Sequence, residues 1–75
     1  MMSDRGKRFL VMVGSPAFGV DALDSFDDMK IAEMVRDTSV GQMMKYPIIQ
    51  DGVFMGYDEV GEISGAWIVD REKSK

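Results

Sequence analysis

Apolar and polar positions alternate along this chain with different periods in different segments. Five consecutive apolar residues, Phe9 to Val13, follow Arg8 and stop at Gly14-Ser15-Pro16. A run of that length bounded by turn residues reads as a strand. Apolar side chains at successive positions call for burial on both faces, and hence for a central place in a sheet. Residues 17–24, with Gly19, Asp21 and Asp24, read as a connection. A helical period then takes over from Ser25 to Asp37. Ile31, Met34 and Val35 share one side, with Ala32 at its edge, and Lys30, Glu33 and Asp37 share the other. Ser25 suits the cap position, with Asp28 three residues on, and Asp27 and Asp28 complement the helix dipole. Gly41 is placed to end the helix in the left-handed region. Tyr46-Pro47-Ile48-Ile49 and Val53-Phe54-Met55 flank Asp51-Gly52, the turn signal of an antiparallel hairpin of short strands. Tyr57 to Ile63 reads as a short helix starting near Asp58. Ala66 to Val69 either continues it or forms a fourth strand. Gly61 and Gly65 each cost a helix about 1 kcal/mol, and Trp67-Ile68-Val69 favours a strand. Residues 1–7 and 71–75 read as polar tails, the first disordered, around a single domain of residues 8–70.

Composition narrows the chemistry. The 75 residues include no cysteine and no histidine. Thiolate nucleophiles, zinc sites and serine triads are thereby excluded. The acidic residues lack the spacing of a calcium loop. Gly14 to Gly19 looks in passing like a phosphate loop but has neither the lysine nor the spacing. The adjacent acids Asp27 with Asp28, and Asp58 with Glu59, are read as caps and dipole partners. No catalytic residue, no metal site and no cofactor is expected.

Net charge is −4, which opposes binding to nucleic acid. Arg5, Lys7, Arg8, Arg71, Lys73 and Lys75 sit near the two ends, and residues 21–62 are acidic. This pattern reads as solvated termini around a core, or more sharply as an acidic face for a basic protein surface. No apolar run reaches membrane-spanning length and no signal peptide is visible, so no membrane association and a cytoplasmic location are expected.

A set of short segments resembles a known family. Phe26-Asp27-Asp28-Met29-Lys30-Ile31-Ala32-Glu33 resembles the long helix of the glutaredoxin-like thioredoxins of T-even bacteriophages. Arg36-Asp37-Thr38-Ser39-Val40-Gly41 resembles the segment after it. Tyr46 to Gly52 is similar to the family's proline-started strand and Asp-Gly turn. Val53 to Glu59 is similar to its closing strand and glycine-acidic motif. The resemblance implies a truncated thioredoxin-like α/β fold: a three- to four-stranded mixed sheet, one main helix and a short C-terminal helix or strand. The cysteine-bearing first third of the family has no counterpart before Phe9. The resemblance also implies a cis Tyr46–Pro47 bond. It places Gly56, Asp58 and Glu59 where the family holds the γ-glutamyl end of glutathione, with Tyr57 crowding that turn. Loss of the covering elements leaves the Phe9–Val13 strand as an exposed apolar edge open to pairing.

The expected function is that of a noncatalytic acidic protein-binding module, a bacteriophage protein that binds a host protein in the host cytoplasm. Two alternatives stand beside it: residual binding of glutathione or a related thiol, and self-association into a homodimer through the exposed sheet edge. Contact candidates are Met43, Met44, Tyr46, Pro47, Gly56, Tyr57, Asp58, Glu59 and Trp67. Tyr46, Tyr57 and Trp67 are the aromatic anchors among them, with places in the core or in a turn as their competing assignment.

Overall fold

A computed structural model describes residues 6–72. The element order is β1 (Phe9–Ser15), β2 (Gly19–Phe26), α1 (Met29–Ser39), β3 (Met43–Gln50), β4 (Val53–Glu62) and β5 (Gly65–Asp70). The strands form two separate antiparallel sheets, one of order β2-β1-β5 and one of β3-β4. The expected thioredoxin-like mixed sheet does not form. The segment read as a connection is strand β2, which takes one side of β1, and β5 takes the other. Both flanks of β1 are thus filled, and the hairpin is left to stand as a sheet of its own. Helix α1 packs across β1, β5 and β2 rather than across the Pro47 and Val53 strands.

β1 is central, so the exposed edge expected at Phe9–Val13 is absent. Its alternate residues Phe9, Val11 and Val13 are buried on one face. Helix α1 covers the first part of that face, where Phe9, Val11 and Ala32 form a core with Leu23, Phe26, Val35 and Ile68 around it. The root of the hairpin covers the rest, with Val13, Met44 and Ile63 packed among Phe18, Leu23, Tyr46, Val60 and Ala66. Cross-strand pairing puts Leu10, Met12, Ala22, Trp67 and Val69 on the opposite face. No helix or strand among the described residues packs there. The Trp67 ring lies against Gly14, where a Cβ would come within 3.4 Å of it.

β2 escaped notice because of a bulge. Val11 pairs with Asp24 and Met12 with Ala22, so Leu23 is an extra residue and the period of two is broken there. The helix starts later than its sequence suggests. Asp28, not Ser25, is the N-cap, and its carboxylate accepts from the Lys30 N–H at 2.8 Å. Ser25 lies within β2 instead, buried, with its Oγ accepting from the Lys7 N–H at 3.1 Å. Gly41 does leave the helix with φ +89°. The buried side of α1 differs from the expected one. Ala32 and Ser39 are buried and Val35 is half-buried, while Ile31 and Met34 are exposed. Small side chains let the helix lie close to the sheet, and the larger ones are turned aside.

The helix expected from Tyr57 to Ile63 does not form: residues 57–62 belong to strand β4, and Gly65–Asp70 form strand β5. The Tyr46–Pro47 bond is trans. The chain ends are tied together: the Arg71 N–H donates to the Arg8 carbonyl at 3.0 Å. The Arg8 guanidinium donates from Nε and Nη2 to the two oxygens of Asp70 at 3.0 and 3.1 Å. That hydrogen bonding, followed by the charges of Asp70 and Glu72, outweighs burial and raises the Arg8 pKa above its ordinary value. A raised pKa adds stability that is fully present below the ordinary arginine range and is lost only at more alkaline pH. Residues 1–5 and 73–75 of the expected tails lie outside the described residues. Among the described residues no helix is long and apolar enough to cross a membrane.

Candidate interaction surface

The β3–β4 hairpin is the most unusual part of the molecule, and its turn explains its path. Asp51 and Gly52 both have positive φ, +52° and +77°. This is the signature of a two-residue turn whose twist matches the flanking strands. The strands are 8 and 10 residues long, well beyond the short pair read from the sequence. Two bulges run through β4. Ile48 pairs with Gly56 and Ile49 with Phe54, leaving Met55 extra. Met44 pairs with Gly61 and Lys45 with Glu59, leaving Val60 extra. Each bulge bends and twists the ribbon.

The root of the hairpin is anchored. Met44 and Ile63 are buried. The Tyr46 hydroxyl donates to the Asp21 carboxylate, tying β3 to β2. Gly61 is pressed against the β1–β2 turn, where a Cβ would lie 2.5 Å from the Ala17 Cβ. Beyond this root the hairpin extends into solvent as an arm. The molecule measures 39 × 26 × 20 Å with a radius of gyration of 13.4 Å. A compact chain of this length would have about 11 Å.

The arm is apolar on both faces. Strand alternation groups Lys45 with Glu59, Pro47 with Tyr57 and Ile49 with Phe54 on the outer face. Tyr46 with Asp58, Ile48 with Gly56 and Gln50 with Val53 lie on the inner face. Ile48, Ile49, Val53, Phe54, Met55 and Tyr57 are each 43–61% exposed. The Phe54 and Tyr57 rings meet edge to face with centroids 5.1 Å apart. Asp51, at the tip, is the only charged side chain between Pro47 and Tyr57. At the outer-face root, Lys45 Nζ lies 3.6 Å from Glu59.

The expected contact residues divide accordingly. Pro47, Tyr57, Asp58 and Glu59 are exposed on the arm or its root, Gly56 is half-buried within it, and Met43 is exposed at the start of β3. Met44 belongs to the core and Tyr46 is half-buried beside it. Trp67 is far along the chain on β5, 40% exposed on the open face of the other sheet. Gly56-Tyr57-Asp58-Glu59 lies within β4, so the turn that the glutathione comparison assigned to it is an extended strand. Sequence reasoning passed over Ile48, Ile49, Val53, Phe54 and Met55 as contact residues. Their signal was present: apolar residues at consecutive positions on both sides of Asp51-Gly52 load both faces of a two-stranded ribbon.

Away from the arm, a hollow of about 450 Å³ is lined by Gly6, Lys7, Arg8, Asp27, Arg71 and Glu72. It is open and polar, with mixed charge. Among the described residues no three carboxylates converge as a metal site would require. No family model, curated protein or solved structure matches the chain.

Proposed function

We propose that this chain is a noncatalytic binding module whose contact surface is the distal half of the β3–β4 hairpin. One observation carries the reading. Six large apolar side chains between Ile48 and Tyr57 stand 43–61% exposed, while the root of the same hairpin is buried. Exposed apolar side chains scattered singly are normal, but a contiguous group of this kind marks a contact site. A two-stranded ribbon is marginal in water by itself, so the arm gains order from whatever covers it. Two aromatic rings already in mutual contact, Phe54 and Tyr57, form a rigid anchor of the type that dominates interface energetics. The absence of cysteine and histidine removes the commonest nucleophile and base from any competing enzymatic account.

Site-specific photo-crosslinking tests the reading. A photoreactive residue is placed at Ile49 on the arm, and in a separate protein at Lys30 on the exposed side of α1. In the cytosol of an expressing cell the arm probe forms discrete adducts, whether with another protein or with a second copy, and the helix probe does not. Equal adduct formation at both sites would remove the arm as the contact surface.

A further inference from the structure

We infer that the arm's partner is a second copy of this chain, with the two hairpins packed outer face to outer face in antiparallel directions. This rests on the arm being the contact surface and names what occupies it.

The backbone argues first, against edge-to-edge addition. The two-residue turn makes Gln50 and Val53 the hydrogen-bonded closing pair. Ile49 with Phe54 and, past the bulge, Pro47 with Tyr57 are then pairs of the other kind, with their main-chain N–H groups aimed at the outer edges. Pro47 has no N–H to aim, so the free edge of β3 lacks its donor in mid-arm. The free edge of β4 is bent by the bulges at Met55 and Val60. Prolines and bulges are the devices that keep sheet edges from pairing. The faces carry no such obstruction.

Area supports the same partner. Ile49, Phe54 and Tyr57 on the outer face of one arm present on the order of 400 Å², about half of the roughly 800 Å² per partner in a standard interface, which fits a weak, micromolar dimer. A two-fold pairing supplies an equal patch from the same sequence on the other copy. Outer-face Pro47, Ile49, Phe54 and Tyr57 would form its centre.

Charge then fixes the direction. The chain as a whole is acidic, so two copies repel wherever their carboxylates approach. Along the arm that repulsion is small, because Asp51 alone is charged between Pro47 and Tyr57. Two arms laid tip to tip would set Asp51 against Asp51. Antiparallel packing instead lays each tip over the other copy's root. Lys45 stands on the outer face six residues from Asp51, about 20 Å along the strand. Centring the crossing between the two places Asp51 of each copy over the Lys45–Glu59 pair of the other, where one exposed ammonium faces both carboxylates, instead of over a second Asp51.

The test is sedimentation of the full chain from about 1 µM to about 500 µM, a range that brackets micromolar association. The wild type moves from monomer to dimer. Phe54→Lys, with its fold checked by circular dichroism, raises the dimer dissociation constant at least about thirty-fold, as loss of an interface anchor does. Asp51→Lys weakens the dimer by setting two ammonium groups together, and adding Lys45→Asp restores it. Turn strain from the first substitution persists in the double variant, so the restoration reports charge alone. Failure of that rescue overturns the antiparallel crossing. A dimer indifferent to Phe54→Lys overturns the inference outright. So does a wild type that stays monomeric throughout while its arm probe still crosslinks to a foreign protein, or while it partitions onto neutral phosphatidylcholine vesicles. Those last results would leave the arm as a contact surface and change only its occupant.

Discussion

At Gly61 the hairpin meets the body of the molecule with no room for a side chain. A Cβ there would lie 2.5 Å from the Ala17 Cβ and 3.5 Å from the Phe18 ring, and φ is +151°. Gly56 has a positive φ as well, +126°, but nothing within 4 Å of where its Cβ would be. The pair separates backbone strain from steric exclusion. Gly56→Ala should cost about 1 kcal/mol of stability, from strain alone. Gly61→Ala should cost about 3 kcal/mol, because overpacking adds to the strain. Urea unfolding of both variants at a concentration where the chain is monomeric measures the difference. Equal losses would mean that the Ala17 turn yields freely and that the hairpin root is not held as described. Neither role was legible in the sequence, where Gly61 looked like a cost to a helix. The clash that explains it comes from residues more than forty positions earlier in the chain.

Single elements were legible where a local signal was strong. Phe9 to Val13 gave a central strand, Gly41 a helix exit and Asp51-Gly52 a hairpin turn, and each depends on chemistry within a few residues. The helix was found but its face was misjudged. Counting apolar residues favours Ile31, Met34 and Val35, whereas the packed sheet admits Ala32 and Ser39 beside Val35. The hairpin was found but judged too short. Strand β4 runs through Tyr57-Asp58-Glu59, whose polar character, between Gly56 and Gly61, hid a ribbon bent by bulges. Root and arm of this one element should respond to substitution in opposite ways. Met44→Ala removes a side chain that is 6% exposed in the core and should cost about 2–5 kcal/mol. Tyr57→Ser removes a larger side chain that is 61% exposed and should cost the monomer under about 0.5 kcal/mol. Chemical denaturation below the association range checks both. A heavy loss from Tyr57→Ser would show that the arm is held by its own fold rather than offered to a partner.

At the scale of the whole molecule the deciding fact is the number of neighbours that β1 receives. The residues that resemble a glutaredoxin predicted a sheet shared by the hairpin and the first strand. That expectation fails because β2, masked by its bulge and its two aspartates, and β5, whose residues the sequence left open between strand and helix, claim both sides of β1. Strand pairing is a competition among distant segments, and no local pattern ranks the competitors. Among the described residues, the outcome leaves two apolar surfaces with no element packed on them: the arm, and the face of the three-stranded sheet that carries Leu10, Met12, Trp67 and Val69. Trp67 is the sole tryptophan of the chain, and it reports on the second surface without labelling. The residue is 40% exposed, so its fluorescence should be red-shifted and open to quenching by acrylamide. If copies associate through their arms, raising the concentration through the dimer range leaves both properties unchanged. Phe54→Lys, expected to weaken association, should leave them unchanged too. A blue shift and loss of quenching on concentration would mean that the sheets, not the arms, come together. Two such sheets facing each other would make a sandwich closed over Trp67, and the arms would then project from it with their apolar faces still bare.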